Sequence, residues 1–397
     1  MGAKLTAWQT RLTQRLTHQR DAGLWRDRPL MTSAPAARVQ VNGKWLTSFA
    51  SNDYLGLAAD ASLATDALAL NADAGLGGSS ASHVLAGHHL PHHLLEDELA
   101  DWLGVERVLL FSSGYLANLA VQTAFMQQGD RLIHDKLNHA SLIDGALLSG
   151  VNFKRYPHND MKALARRLAQ PNDGLTMVVT DGVFSMDGDV VNLPAMRDVL
   201  VDKDVLLVVD EAHSFAVLGE QGRGTFSHFG IEAGQNVLRV GTLGKAFGSS
   251  GAFVAGSALL IDTIAQFARS YRYTTAQPPY QASFTRAALR RVQQGDDLRT
   301  QLNQLIAHFR AGATALGLEL MSSLTPIQPI LLADNARAMR WQQQLWDAGF
   351  WVPAIRPPTV PEGTARLRLS ICANHSLEQI DALLVALSVC LQSERLA

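Results

Sequence analysis

Three short stretches of the sequence carry residue types that could do chemistry together. The first is Asp210-Glu211-Ala212-His213, which follows the apolar run Val205–Val209. A carboxylate leaving a buried strand is costly unless it meets a cation. A protonated pyridine nitrogen is such a cation, and an Asp at that nitrogen makes a pyridoxal ring an electron sink. His213 could then reach the ring's 3-oxygen. Read alone, a helix-capping Asp beside a surface His explains the same residues. The second stretch, Gly241-Thr242-Leu243-Gly244-Lys245-Ala246-Phe247-Gly248, sets a lysine in a glycine-bracketed turn after a strand. A lysine nucleophile needs a lowered pKa and close approach to a carbonyl carbon. The flanking glycines leave room for a ring, and Thr242 offers a hydroxyl to phosphate. The third, Phe111-Ser112-Ser113-Gly114-Tyr115-Leu116-Ala117-Asn118, opens a helix with small residues, and exposed N–H groups at a helix start bind phosphate. The three together fit one cofactor, pyridoxal 5′-phosphate (PLP), with Lys245 as its Schiff-base lysine.

Two rival readings of the lysine turn fail on spacing. Thr242-x-x-Lys245 has the form used by penicillin-binding enzymes, but the partner tripeptides S-D-N and K-T-G are absent. A Walker loop requires Gly-Lys-Ser/Thr after a four-residue gap, which this is not.

The elements that must hold these residues are short apolar runs alternating with helical patterns, the signature of a layered α/β sheet. Val108–Phe111, Arg131–His134, Asn152–Tyr156, Thr176–Thr180, Val205–Asp210, Val237–Gly241 and Gly251–Ala255 read as strands, with helices such as Met161–Ala169 and Leu193–Val201 between them. Several strands end in polar residues, and in open α/β sheets ligands bind beyond the carboxyl ends of the strands. From about Ala287 the pattern changes to long helices (Leu289–Ala315, Ala336–Ala348, Leu377–Leu391) and two strands, Ile327–Leu332 and Ala365–Leu369, which reads as a smaller α+β domain. The expected division is an N-terminal helical segment (1–54), a large PLP-binding domain (55–286) and a small C-terminal domain (287–397).

Composition sets the outer bounds. A chain of 397 residues exceeds one compact core, and 47% hydrophobic with 18% charged residues is ordinary for a globular protein. With 34 basic and 36 acidic residues the net charge is −2, which gives no reason to expect nucleic acid or an anionic membrane as partner. Two cysteines, Cys372 and Cys390, make no disulfide framework. No stretch is long and apolar enough to span a bilayer, so the cytoplasm is the expected location. Leu5, Trp8, Leu12 and Leu16 form a stripe that predicts an amphipathic helix packing on the body; an Arg-rich transit peptide is the competing reading. The run His83, His88, His89, His92, His93 reads as a solvated helix start rather than a metal site, since Pro91 interrupts it and no Cys completes it. Trp341, Trp346 and Trp351 read as core or interface.

A phosphate-binding helix start, Asp210 and Lys245, in this chain order, resemble the aspartate-aminotransferase superfamily (fold type I) of PLP enzymes. Ser185 in Asp181-Gly-Val-Phe-Ser-Met-Asp-Gly-Asp189 and His139 in Asn138-His139-Ala140-Ser141 complete the set. That resemblance implies a mostly parallel seven-stranded sheet with helices on both faces. It narrows to the α-oxoamine synthases, which join an amino acid to an acyl thioester with loss of carbon dioxide, through Asn52-Asp-Tyr-Leu-Gly56, Gly182–Gly188, Asp210–His213 and Gly222-Arg-Gly224. Ala354-Ile-Arg-Pro-Pro-Thr-Val-Pro361 and Gly363-Thr-Ala-Arg-Leu-Arg368 look like the members that join L-alanine to pimeloyl-CoA, or to pimeloyl-acyl-carrier protein, in biotin synthesis. The family roles implied are His139 stacking on the pyridine ring, Ser185 and His213 bonding the cofactor, Thr242 bonding phosphate, and Gly114 and Tyr115 bordering phosphate and substrate. Arg26 and Thr359 would contact the acyl group, Arg356 the amino-acid carboxylate, and Asn52 would lie near the substrate. A homodimer with shared active sites is implied as well, with Tyr273-Thr274-Thr275 able to reach a second subunit. Tyr115 stands where Phe is common, and Gly75–His83 lacks an Arg that many relatives carry. A sibling synthase of the glycine C-acetyltransferase type is the nearest alternative. A ligand-binding module without turnover is a more distant one, which predicts an attached DNA-binding domain where only thirty-odd residues precede Val39; a non-catalytic scaffold subunit would be expected to lack Lys245.

Overall fold

The structure is a computed structural model that describes residues 6–71 and 74–396. Thirteen strands run through it: β1 Arg38–Val41, β2 Lys44–Ser48, β3 Arg107–Phe111, β4 Arg131–Asp135, β5 Phe153–Tyr156, β6 Thr176–Asp181, β7 Val205–Asp210, β8 Val237–Thr242, β9 Ala252–Gly256, β10 Ile327–Ala333, β11 Phe350–Trp351, β12 Ala354–Ile355 and β13 Ala365–Ser370. Seven form one sheet in the order β3-β9-β8-β7-β6-β4-β5. Its pairings from β8 through β5 are parallel, and β9 runs antiparallel to both neighbours. All seven strands expected from sequence are present, within a residue or so at each end.

These strands read as unbroken apolar runs because both faces of the sheet are covered. Side chains alternate between faces at a period of two. Met177, Val179 and Val208 join a core with Ala117, Val121 and Leu142 on one side. Val178, Leu207 and Val209 join Leu164 and Met196 on the other. Helices Gly114–Thr123 and Ala140–Ser149 therefore cover one face, and Met161–Leu168 and Leu193–Leu200 the opposite one. Beyond the carboxyl ends of β4, β6 and β7 the chain turns into polar residues, and Arg366 and Arg368 of β13 reach the segment that follows β6.

The C-terminal region has its own antiparallel sheet, β10-β13-β12. A third sheet pairs β1 and β2 with β11, so residues near the amino end join the C-terminal unit. The expected single helix Leu289–Ala315 is instead two, Pro279–Gln293 and Asp296–Ala315. The break falls at Gly295, whose backbone leaves the helical region; its N–H donates to the Val292 carbonyl at 3.1 Å, and Arg299 Nη1 reaches back to the same oxygen at 2.8 Å. Trp341 is buried and Trp346 and Trp351 meet edge to face, which makes them core and packing residues.

The N-terminal helix corrects the sequence reading. Ala7–Asp21 is helical, with a capping box between Thr6 and Gln9, but it buries none of its residues. Trp8 is 67% exposed, and Leu12 and Leu16 each 49%, so the stripe finds no groove among the described residues. Local capping holds this helix rather than packing, and Leu5 lies outside the described residues.

Candidate active site

Asp210 ends β7, and its carboxylate is nearly buried at 5% exposed. It accepts hydrogen bonds from Asn118 Nδ2 at 2.6 Å and from the Ala212 N–H at 2.9 Å. No Lys, Arg or His forms an ion pair with it among the described residues. Asn118 sits on the first turns of Gly114–Thr123 and also donates to Ser141 Oγ at 2.9 Å. A buried anion held only by amides is a place prepared for a cation.

Lys245 lies in the turn after β8, where Gly248 adopts φ +61° against the backbone of Leu57 and Ala58 and a Cβ would clash. Its Nζ is 2.8 Å from His213 Nε2. Burial lowers the ammonium to about 8, against the opposing pull of Asp210 and Asp181. That range gives an amine that exchanges protons near neutral pH. His213 is pushed well below its usual pKa by burial and then by the Lys245 charge, so it is a neutral imidazole. Its Nδ1 is 2.6 Å from Tyr54 Oη. Tyr54 donates to Asn52 Oδ1 at 3.2 Å, which also accepts from Arg368 Nη1 at 3.2 Å. With Lys245 donating to Nε2, His213 donates through Nδ1 to Tyr54 and Tyr54 to Asn52 Oδ1, where the chain ends on an acceptor that Arg368 also serves from the other side.

His139 caps helix Ala140–Ser149, and its own N–H donates to Asp181 Oδ2 at 2.7 Å. Burial lowers its pKa, Asp210 works against this and Lys245 with it, so the imidazole stands within the field of both. Asp181, fully enclosed beside Asp210, is raised well above the ordinary carboxylate range by burial and by that neighbour. Gly114 opens its helix under the Ser113 cap, and a Cβ there would meet only Thr242, at 3.8 Å. An open helix start beside a threonine is the shape that receives a phosphate.

The remaining expected residues spread outward. Ser185 follows β6, half-buried, on a cavity of about 250 Å³ shared with Thr359, Val360 and Pro361. Arg26 Nη2 donates to Thr359 Oγ1 at 3.0 Å at the surface. Arg356 makes no side-chain hydrogen bond among the described residues and lies against Gly23. Tyr115 is 46% exposed and donates to Asp144. A larger cavity of about 820 Å³ lies at the amino ends of β7 and β8, on the far side of the sheet from this cluster.

Sequence reasoning quoted Tyr54, Asn118, Asp181 and Arg368 inside its motifs without giving them roles. Arg368 stands out: Nε donates 2.6 Å to the Ser185 carbonyl and Nη1 reaches Asn52, while Nη2 makes no hydrogen bond among the described residues. The signal was its place within a strand that carries a second Arg, Arg366, which reads as well as a surface charge.

Fold and constellation together are those of a fold type I PLP-dependent enzyme. A family model described as aminotransferase class I and II matches residues 45–387. Curated relatives named 8-amino-7-oxononanoate synthase are 53% identical in Hydrogenovibrio crunogenus, over 92% of each chain. In Pseudomonas putida the figure is 50%, over 96% of this chain and 97% of the relative. Among solved structures, the Sphingomonas wittichii serine palmitoyltransferase matches with a TM-score of 0.90 at 29% identity over 99% of each chain. An 8-amino-7-oxononanoate synthase from Francisella tularensis matches with a TM-score of 0.77 at 33% identity over 88% of this chain and 99% of its own. The chain belongs to the aminotransferase class I and II family and, within it, to the 8-amino-7-oxononanoate synthases.

Proposed function

We infer that the protein condenses L-alanine with a pimeloyl thioester, carried by coenzyme A or by acyl carrier protein, to form 8-amino-7-oxononanoate, the free thiol and carbon dioxide in biotin synthesis. The observation that carries this reading is the buried Asp210 carboxylate without a cation, set beside Lys245 and an open helix start at Gly114. These residues fit PLP, which when bound supplies a ring that accepts the electron pair left on an amino-acid carbon. Asp210 would hold the ring nitrogen, His139, Ser185 and His213 would flank the ring, and Gly114, Tyr115 and Thr242 would border the phosphate.

Lys245 serves twice. Its amine anchors the cofactor, and once freed it is the base positioned to take the alanine Cα proton, with a pKa near working pH. His213, fixed in one tautomer by Tyr54 and Asn52, keeps the lysine nitrogen aimed into the site. Two guanidinium groups are available to the alanine carboxylate: Arg356, and Arg368 through its open Nη2. The Arg26–Thr359 pair stands by the cavity that also holds Ser185, and is assigned to the acyl chain.

The exposed Trp8, Leu12 and Leu16 suit burial against a second copy, and a homodimer is the assembly on this reading. No helix among the described residues is long and apolar enough to cross a membrane, and the proposed place of action is the cytoplasm.

The test is a titration of purified protein with PLP followed in the visible spectrum, then L-alanine, then pimeloyl-CoA with a thiol reagent. A visible band that changes with alanine, followed by thiol release, is expected from the wild type, and Lys245→Ala should show neither. A protein that stays colourless in excess PLP overturns the reading. Cofactor binding with thiol release only from shorter acyl-CoA would move the substrate to a sibling synthase.

A further inference from the structure

The histidine-rich stretch at the start of helix Leu90–Leu103 takes no part in the chemistry above. The ring centroids of His83 and His88 lie 5.2 Å apart, and those of His88 and His93 5.9 Å. Two sets of three donors, each with its ligating atoms within 4.8 Å of one another, share His88: His83–His88–His92 and His88–His93–Glu96.

The first set is already committed. His92 Nδ1 accepts from the His89 N–H at 3.0 Å, and Nε2 is 2.8 Å from the Gln277 carbonyl. A cation could take neither nitrogen without breaking the helix start or the tie to Gln277.

The second set is built differently. Glu96 Oε1 accepts from the Leu110 N–H at 3.0 Å, which fixes the carboxylate. Its Oε2 makes no hydrogen bond among the described residues and lies 4.0 Å from His88 Nε2, in a side chain only 13% exposed. On the other side of the ring, His88 Nδ1 is 3.0 Å from His83 Nδ1, the kind of outer contact that fixes the tautomer of a ligating imidazole. His93 and Glu96 are three apart on one helix and so share a face. Pro91 sits in the first turn without interrupting the helix, so it does not separate these donors.

We propose that His88, His93 and Glu96 form a binding site for a divalent transition-metal ion of the zinc type, with its outer position open to water. Two imidazoles and one carboxylate suit such an ion, whereas calcium and magnesium favour all-oxygen sites. Ligand bonds of about 2.0–2.2 Å place neighbouring donors roughly 3.3 Å apart. The three donors must therefore draw in by about 1 Å: His93, with its side chain 61% exposed, can rotate from Asp97, 3.6 Å away, and His88, 31% exposed, must close the 4.0 Å gap to Glu96. The ion would tie the segment before the helix to β3 through Glu96 and Leu110. That segment also pairs Ser82 with Thr275, so its anchoring bears on residues 273–275.

The test uses the PLP-loaded enzyme, stripped of metal by a chelator and titrated with Zn²⁺ by calorimetry and with Co²⁺ by visible absorbance. One equivalent per chain and a rise in melting temperature are expected for the wild type. His93→Ala and His88→Ala should raise Kd at least ~10-fold and lose the metal-dependent rise. His93→Gln, close in size to the original, is expected to behave the same way while melting with the metal-free wild type. No binding by the wild type, or unchanged titrations in these variants, overturns the site.

Discussion

Asp210 and Glu211 are neighbours in sequence, and both are nearly or wholly buried, yet they live in opposite electrostatic circumstances. Glu211 is fully matched: Oε1 accepts from Thr225 Oγ1 at 2.8 Å and Arg239 Nη2 at 3.3 Å, while Oε2 accepts from the Thr225 N–H at 2.9 Å and from Ser214 Oγ. Arg239 in turn lies between the rings of Phe215 and Phe226, at 4.7 and 5.0 Å. Asp210 has two amide donors and no cation. One carboxylate closes its own network, and the other is left open toward the lysine. The difference separates a charge used to hold the fold from a charge held ready for a ligand.

That contrast can be broken most severely at Arg239. Arg239→Met leaves Glu211 buried without its cation, and a loss of about 3–5 kcal/mol is expected in denaturant unfolding. A second change, Glu211→Gln on top of it, should recover part of that loss. Asp210→Asn should act the other way round. Turnover with alanine and pimeloyl-CoA is expected to fall at least ~100-fold, because the group that stabilises charge in the reaction is gone, while the fold persists.

Smaller effects sharpen the picture. Tyr54→Phe removes the acceptor of His213 Nδ1 and should lower kcat about tenfold, the equivalent of one hydrogen bond near ~1.4 kcal/mol. The KM for alanine should change little, since Tyr54 acts through His213. A pH dependence is expected at His158. Burial opposes its charge, but hydrogen bonds to Asp135 and Asp189 and their charges overcome it and raise the pKa to about 10. A raised pKa means the protonated form stabilises the fold: the contribution is complete below about 6.5, the ordinary value, and is lost as pH rises through about 10. Melting temperature should therefore decline across that window, and His158→Gln should flatten the decline.

The central sheet was legible because its strands are continuous apolar runs, and burial on both faces demands that pattern. The lysine turn, Asp210–His213 and Asn138–Ser141 were legible because each is a short contiguous motif. What sequence could not show is who meets whom. Asn118 reaches Asp210 across 92 positions, and Arg368 reaches Asn52 across 316, and only the strand order brings them together. The helix Ala7–Asp21 differs for a related reason: its apolar stripe is visible in sequence, but no surface among the described residues buries it. Glu96 carries no signal of its own in the sequence beside the histidine run, and only the fold sets it 4.0 Å from His88.

The most direct measurement is the melting temperature of cofactor-free Asp210→Asn and Glu211→Gln beside the cofactor-free wild type, each repeated with saturating PLP. Without cofactor, Asp210→Asn is expected to melt at or above the wild type and to gain less from PLP, while Glu211→Gln melts well below it. If cofactor-free Asp210→Asn is destabilised as much as Glu211→Gln, Asp210 belongs to the fold rather than to the ligand, and the distinction between the two carboxylates is wrong.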